Sequence, residues 1–286
     1  MKATPVLSAV QHLRRMRGGT QAHLMRASDG NLFVVKFQNN PEHVRALASE
    51  FFATKLGLFL GLPMAEAVVI EVSDWLIEHT PELRIEIGNT TIPCVAGLHF
   101  ASRYAADGAM DRVFDYMPET QFGRVVNRDD FVPMLAFDKW TGNCDGRQAV
   151  FAKRPDESHY RMTFIDQHYC FDGGRWVFPD HPLMGTYFRN QVYEGVTGWE
   201  SFEPVLTRIE EMEYADLWRC AAQVPYEWYE HDGVGLFQLV EMLYRRRSRV
   251  RDLITEFRNS VRRPFPNWKQ SAFASGSSKV AIHAEH

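Results

Sequence analysis

The feature that most constrains this chain is the order in which glycine, lysine and carboxylate positions fall on its strand and helix signals. Gly18, Gly19 and Thr20 make a glycine turn. A predicted β-hairpin follows: residues 21–26, a Ser28-Asp29-Gly30-Asn31 turn whose Asp-Gly step tolerates positive φ, and a β-rich return strand over 32–37. Lys36 stands late on that strand. Asn40-Pro41-Glu42 reads as a helix start, with a capping Asn, a Pro preset for the first helical position and a Glu suited to the dipole. Val44, Leu47, Ala48, Phe51 and Leu56 continue with a near-helical apolar period, Glu50 lies on or beside that face, and Gly61-Leu62-Pro63 ends it. A strand over 67–72 completes a hairpin, helix, strand order.

The rest of the chain divides less sharply. Residues 74–89 carry no clear pattern, and 91–100 read as a strand running into a loop at Ala101-Ser102-Arg103. Asp129-Asp130 is expected to cap a helix bearing Phe131, Met134, Leu135, Phe137 and Trp140, closed by Gly142-Asn143. Short strands are predicted over 149–153 and 161–165, and mostly helix from about 200 to 263, broken at Pro204 and Pro225. The 286 residues suit two lobes, 1–102 rich in strand and 103–268 mostly helical. Residues 269–286 read as an unstructured tail or an expression remnant.

Four positions carry candidate chemistry, and each has a bland reading beside it. The Gly18-Gly19-Thr20 turn lets backbone N–H groups approach phosphate, though a Gly-Gly pair is usually a plain turn. Lys36 is by default a solvated strand residue. Glu50, however, needs a partner near an apolar face, and the pair would aim an ammonium at phosphate. Asp145, on a loop between an apolar helix and a strand, can accept a proton from a hydroxyl, or can simply sit in a polar turn. Asp166, directly after a predicted buried strand, suits Mg²⁺ held with substrate phosphates, or a turn start. Asp145 and Asp166 are 166 − 145 = 21 residues apart with two short strands between them. Together these parts are those of phosphoryl transfer in kinase-like folds.

At this point the chain resembles the HipA-like kinases over roughly residues 10–268. Gly142-Asn143-Cys144-Asp145 looks like their Gly-Asn-x-Asp catalytic loop, Phe164-Ile165-Asp166 like their metal-binding strand end, and Lys36 and Glu50 match their nucleotide lysine and helix glutamate. The resemblance implies an α+β, two-lobed protein-kinase-like fold and an ATP- and Mg²⁺-dependent serine/threonine protein kinase. A protein acceptor follows, a translation factor among the candidates because some members modify translation proteins. Lys36, Glu50 and Asp145 would be catalytic. Gly18, Gly19, Thr20, Lys36, Gly97, His99, Phe100, Ser102 and Asn143 would contact nucleotide, residues 97–102 forming the hinge that faces adenine. Asp166 and Gln148 would hold metal. The chain departs from the pattern where kinases place a metal-binding Asn five residues after the catalytic Asp: that position is Val150, with Gln148 and Gln167 nearby. Nor does Phe-Gly follow Asp166. A small-molecule kinase and a nucleotide-binding pseudokinase or adaptor remain the alternatives.

Composition narrows the field further. Hydrophobic residues at 45% and charged residues at 24% exclude a disordered, collagen-like or coiled-coil chain. No apolar run approaches the ~18 residues of a membrane helix, so no membrane partner is expected. A net charge of −4 argues against a generally basic nucleic-acid binder. Cys94, Cys144, Cys170 and Cys220 are widely spaced and the start lacks an apolar leader core, which together suggest free thiols in the cytoplasm. Contact of the Arg245-Arg246-Arg247-Ser248-Arg249-Val250-Arg251 run with RNA is a minor option beside a solvated, ion-paired helix. Trp218, Trp228, Tyr226 and Tyr229 read as core or groove aromatics, His168 and His181 as loop residues, and Asp172-Gly173-Gly174-Arg175 as a hairpin turn.

Overall fold

The computed structural model describes residues 6–106 and 111–269; all but Lys269 of the expected tail lies outside them. The hairpin signal is realised as β2 (His23–Ala27) and β3 (Leu32–Lys36), preceded by β1 (Leu7–Arg15). Gly30 takes φ 85° in the turn, and the Asp29 carboxylate accepts from the Asn31 N–H at 2.9 Å. Helix α1 (Arg45–Leu60) starts five residues after Asn40. Asn40 does not cap it: its amide donates to the Phe37 carbonyl and its side-chain oxygen accepts from the Glu42 N–H, a local Asx turn that competes with the helix. Gly61 closes the helix at φ 86°, a left-handed conformation that favours glycine.

After β4 (Ala67–Val72) the Ser73 hydroxyl caps the short α2 (Asp74–Glu78). The strand expected over 91–100 is two strands with a break at residues 94–96. Strand β6 (Thr90–Pro93) pairs with β5 (Arg84–Ile87), whereas β7 (Gly97–Arg103) pairs with both β3 and β4. Ala101, Ser102 and Arg103 therefore belong to a central strand and not to a loop. Strands β1-β2-β3-β7-β4 close into a barrel through a parallel β1–β4 contact. Met25, Phe33, Val35, Phe37, Ile70 and Ala101 fill its interior.

The second half begins with β8 (Arg112–Phe114) and α3 (Phe131–Thr141). Asp129-Asp130 forms a 3-10 turn before α3 without capping it, because the Asp130 carboxylate is taken by the Asn127 amide. Strands β9 (Gln148–Lys153) and β10 (Arg161–Ile165) join β8 in a three-stranded sheet. Residues 170–175 are consecutive tight turns with Phe171 and Asp172 left-handed, not a hairpin turn, since no strand returns. Helices α4 (Val205–Glu210), α5 (Tyr214–Ala221), α6 (Gly233–Arg246) and α7 (Val250–Arg258) follow, with Pro204 and Pro225 at element starts. Trp228 and Tyr229 are buried and Tyr226 is exposed. The arginine run is ion-paired within the protein: Arg246 and Arg249 grip Asp180, and Arg251 grips Glu210. No described helix is long and apolar enough to cross a membrane.

Helix α1 is buried on nearly every face because it lies between barrel and helical half. The Ser49 hydroxyl donates to the Gly173 carbonyl at 2.8 Å and accepts from the Trp176 indole at 3.0 Å. Arg45 reaches Asp232, whose carboxylate caps α6. Met64 bridges to Phe164, and the Trp228 indole donates to the Leu98 carbonyl. The two halves are thus joined through the helix that carries Glu50.

His23 and His99 are fully buried in the strand-rich half. His99 accepts from the Gln38 N–H and donates to the Val95 carbonyl, and burial lowers its pKa to about 4; burial and the adjacent His12 ring do the same for His23. The stability each neutral ring contributes is complete above the unfolded value near 6.5 and is lost as pH falls toward 4. These two rings together should therefore lower the unfolding free energy by about 2.5 kcal/mol per pH unit between about pH 6 and 4.5. Urea titrations at several pH values check this, and a flat profile in that window would refute it.

Candidate active site

Lys36 is the centre of the site. It ends β3, is buried, and its ammonium donates to Glu50 Oε1 at 2.9 Å and Oε2 at 2.7 Å, and to Asp166 Oδ1 at 2.7 Å. Three segments separated by 14 and 130 residues thus meet at one nitrogen. Burial disfavours the ammonium, but the Asp166 and Glu50 carboxylates outweigh it and raise the Lys36 pKa. Burial pushes Glu50 up to about 7 against the pull of Lys36. Burial also opposes ionisation of Asp166, yet the Lys36 cation holds its carboxyl below the usual carboxylate range.

His168, expected as a plain loop residue, is buried in the same cluster. Its Nδ1 accepts from Lys36 at 3.4 Å and its Nε2 faces Glu42 Oε2 at 3.3 Å. Burial and the Lys36 charge lower its pKa to about 3, so the ring is neutral and donates to Glu42. The fields of Asp166 and Asp145 both reach Glu42, and Tyr169 hydrogen-bonds it. Glu42, Asp145 and Asp166 are therefore close enough to act on one another's charge. Glu50, Asp166 and His168 offer ligand atoms within 4.8 Å of one another, but the Lys36 ammonium already occupies their midst.

Asp166 has φ 58°, a left-handed conformation that costs a non-glycine residue on the order of 1–3 kcal/mol and persists only where its surroundings impose it. Asp145 is exposed on the loop after α3. Gln148 Nε2 lies 3.5 Å from Asp145 Oδ2, and Gln148 pairs in register with Ile165, the neighbour of Asp166. Val150 pairs with Thr163 two residues further along, on the same open face of the β9–β10 sheet. The opposite face, Ala149, Phe151, Met162 and Phe164, is buried.

The structure divides the other expected positions. Gly18, with φ 125°, Gly19 and Thr20 form the loop between β1 and β2, and a Cβ on Gly19 would lie 3.7 Å from Glu42 Oε1, so the turn arches over the carboxylate space. Phe100 and Ser102 pair with Lys36 and Val34 and share the Lys36 face of the sheet. His99 points the other way, into the buried strand core with both ring nitrogens engaged, and Gly97 sits at the far end of β7 beside Gln38. Residues 97–102 are consequently part of a central strand paired on both sides. Asn143 is buried, donating to Asp138 at 3.0 Å and accepting from the Asp145 N–H at 3.1 Å, so both ends of its side-chain amide are engaged in shaping the loop. The Gln167 side-chain oxygen accepts from Arg147, whereas the exposed Gln148 turns its amide toward Asp145.

Glu42, Asp138, Arg147 and His168 are site residues that sequence reasoning missed. Asp138 and Arg147 flank the Gly-Asn-x-Asp stretch nine residues apart, and that bracketing of a loop by opposite charges was the available signal. Both are about 1% exposed and form a buried pair. Segment 184–186 seals the loop: the Gly185 N–H donates to the Asp145 carbonyl at 3.0 Å, and Arg147 N–H to the Thr186 carbonyl.

A closed sheet carrying the lysine, a helix glutamate beneath it, a loop aspartate and a post-strand aspartate define a protein-kinase-like fold. The chain belongs to the HipA-like kinase family, whose pattern it matches over residues 10–252, and it is thereby a phosphotransferase by family. Three solved structures share the fold. The Helicobacter pylori proinflammatory kinase CtkA is 13% identical with a TM-score of 0.54, over 87% of this chain and 96% of its own. Hydra Fam20, solved with sugar, is 11% identical at 0.53, over 87% and 86%. The Golgi casein kinase is 12% identical at 0.52, over 90% and 75%. No curated protein sequence matches the chain.

Gly185 provides a test of the loop. With φ 66°, an added Cβ would lie 2.8 Å from the Asp138 Cβ and 3.1 Å from the Asn143 carbonyl oxygen. Gly185→Ala should cost about 2–4 kcal/mol from left-handed strain and overpacking. A loss below about 1 kcal/mol in urea unfolding would show that segment 184–186 does not pack on the loop.

Proposed function

We propose that this protein is an ATP- and Mg²⁺-dependent serine/threonine protein kinase acting in the cytoplasm, with nucleotide bound between a lobe of residues 1–102 and a lobe of residues 103–268. The observation that carries the reading is the Lys36 ammonium held by Glu50 and Asp166. A buried lysine between two carboxylates is charged, rigid and aimed at the space under the glycine turn, where α- and β-phosphates would rest. Ser102 and Val150, both half-buried, offer an apolar and small-residue face for a purine, with residues 104–106 as the hinge that follows β7.

The donor set fits a divalent metal. Asp166 and Glu42 bring carboxylate oxygens near one another, and Gln148, beside Asp145 and paired with Ile165, carries an amide oxygen, the hard ligand type Mg²⁺ takes with phosphates. The metal supplies charge neutralisation of the transferring phosphoryl group. The register of β9 against β10 supports Gln148 as the amide ligand, since Gln148, not Val150, pairs with Ile165, the residue before Asp166. Asp145 orients the acceptor hydroxyl and takes its proton. Asn143 and the 184–186 segment fix its backbone. Exposure of Asp145 and Gly146 favours a polypeptide hydroxyl over an enclosed small molecule, a translation factor among the candidates. The cytoplasmic reading is supported by four cysteines that are all free thiols.

Calorimetric titration of ATP with and without Mg²⁺ tests the cleft. Binding should be Mg²⁺-dependent in the parent and weakened at least tenfold by Lys36→Ala and by Asp166→Ala. Asp145→Asn should keep nucleotide affinity within about threefold while phosphoryl transfer falls on the order of 10²–10⁴-fold. No ATP binding by folded parent protein would overturn the reading, and retained turnover in Asp145→Asn would remove Asp145 from the mechanism.

A further inference from the structure

We propose that the buried Asp138–Arg147 pair is a positioning device that registers Asp145 and Asp166 to each other, with Arg147 imposing the left-handed backbone of Asp166. The inference rests on the nucleotide and metal roles proposed above.

Arg147 does not reach the cleft, and its side chain is about 1% exposed. Its Nε donates to Asp138 Oδ2 at 3.0 Å and its Nη2 to Asp138 Oδ1. Its Nη1 donates to the Ile165 carbonyl at 3.0 Å and to the Gln167 side-chain oxygen. One nitrogen thus holds the residues on both sides of Asp166, whose φ of 58° needs outside support. On its other side Asp138 accepts from Asn143, and Asn143 accepts from the Asp145 N–H. A continuous chain of hydrogen bonds runs from the Asp145 backbone through Asn143, Asp138 and Arg147 to the backbone around Asp166.

Stability alone is a weak reason for such a pair. Well-packed apolar residues in place of a buried ion pair are often as stable or more so. What they cannot do is direct forked donors at a carbonyl and an amide two residues apart. Lysine in place of Arg147 would keep the charge and lose the fork.

The test compares the parent with Arg147→Lys and Gln167→Met, using ADP alone and ADP with Mn²⁺ by calorimetry, and circular dichroism for folding. The parent should bind ADP more tightly with Mn²⁺. Arg147→Lys should bind metal-free ADP within about threefold of the parent, because Lys36 and the glycine turn are untouched, and lose at least tenfold of the Mn²⁺-dependent gain. Gln167→Met leaves the Asp138–Arg147 pair in place and removes one contact to the Asp166 turn, so it should lose at least threefold of that gain. Should Arg147→Lys fail to fold, Gln167→Met decides. Full retention of the gain in the folded variants would overturn the positioning role while leaving the site intact. A parent without any Mn²⁺-dependent gain would instead overturn the metal reading, and this inference with it.

Discussion

The arrangement of this protein depends on a buried cation shared by two carboxylates. Glu50 and Asp166 hold Lys36 charged in the interior against the cost of burial, and the Lys36 cation in turn draws both carboxylates toward ionisation. Satisfying all three requires that β3, α1 and the end of β10 converge within about 3 Å of one nitrogen. The barrel supplies the first and the helical half the last. Helix α1 lies between them and is fastened to both, by its burial and by the Ser49, Trp176 and Arg45 contacts. The electrostatic requirement and the interlobe packing are therefore one constraint.

A second ionic element lies beneath the first and is kept apart from solvent and cleft alike. Asp138 and Arg147 face each other at the base of the loop, while Asp145 projects outward from the same loop. The separation suits a phosphotransferase. Asp145 stays accessible and polar, and the pair beneath it is buried where the low dielectric makes its hydrogen bonds directional and costly to break.

Much of the site was legible in the sequence because it is written in local signals. The Asp-Gly turn, the lysine on the return strand, the glycine that ends α1 and the Gly-Asn-x-Asp stretch each report a backbone or charge requirement confined to a few residues. What failed was also local in cause. Asn40 resembled a helix cap but bonded to Phe37 and Glu42 instead, and Asp130 was claimed by Asn127. Residues 97–103 read as strand and then loop, since nothing in their own pattern reveals that two strands flank them and pair along their whole length. His168 gave no signal, because its role comes from Glu42 and Lys36, which are 126 and 132 residues away in the chain.

The sequence by itself determined the order of elements, the identity of the lysine, glutamate and two aspartates, and the kinase-like class, because periodicity, turn chemistry and spacing are properties of neighbouring residues. Only the tertiary structure decided which face each strand shows, and so placed Phe100 on the Lys36 face of the sheet and His99 on the opposite one, in the interior of the barrel. It alone decided that Gln148 pairs with Ile165 and Val150 with Thr163, and that Asn143 and Arg147 are buried beneath the loop that carries Asp145. The physical reason is that strand register and the pairing of buried charges minimise the free energy of the whole assembly, and residues distant in sequence contribute to that minimum as much as neighbours do.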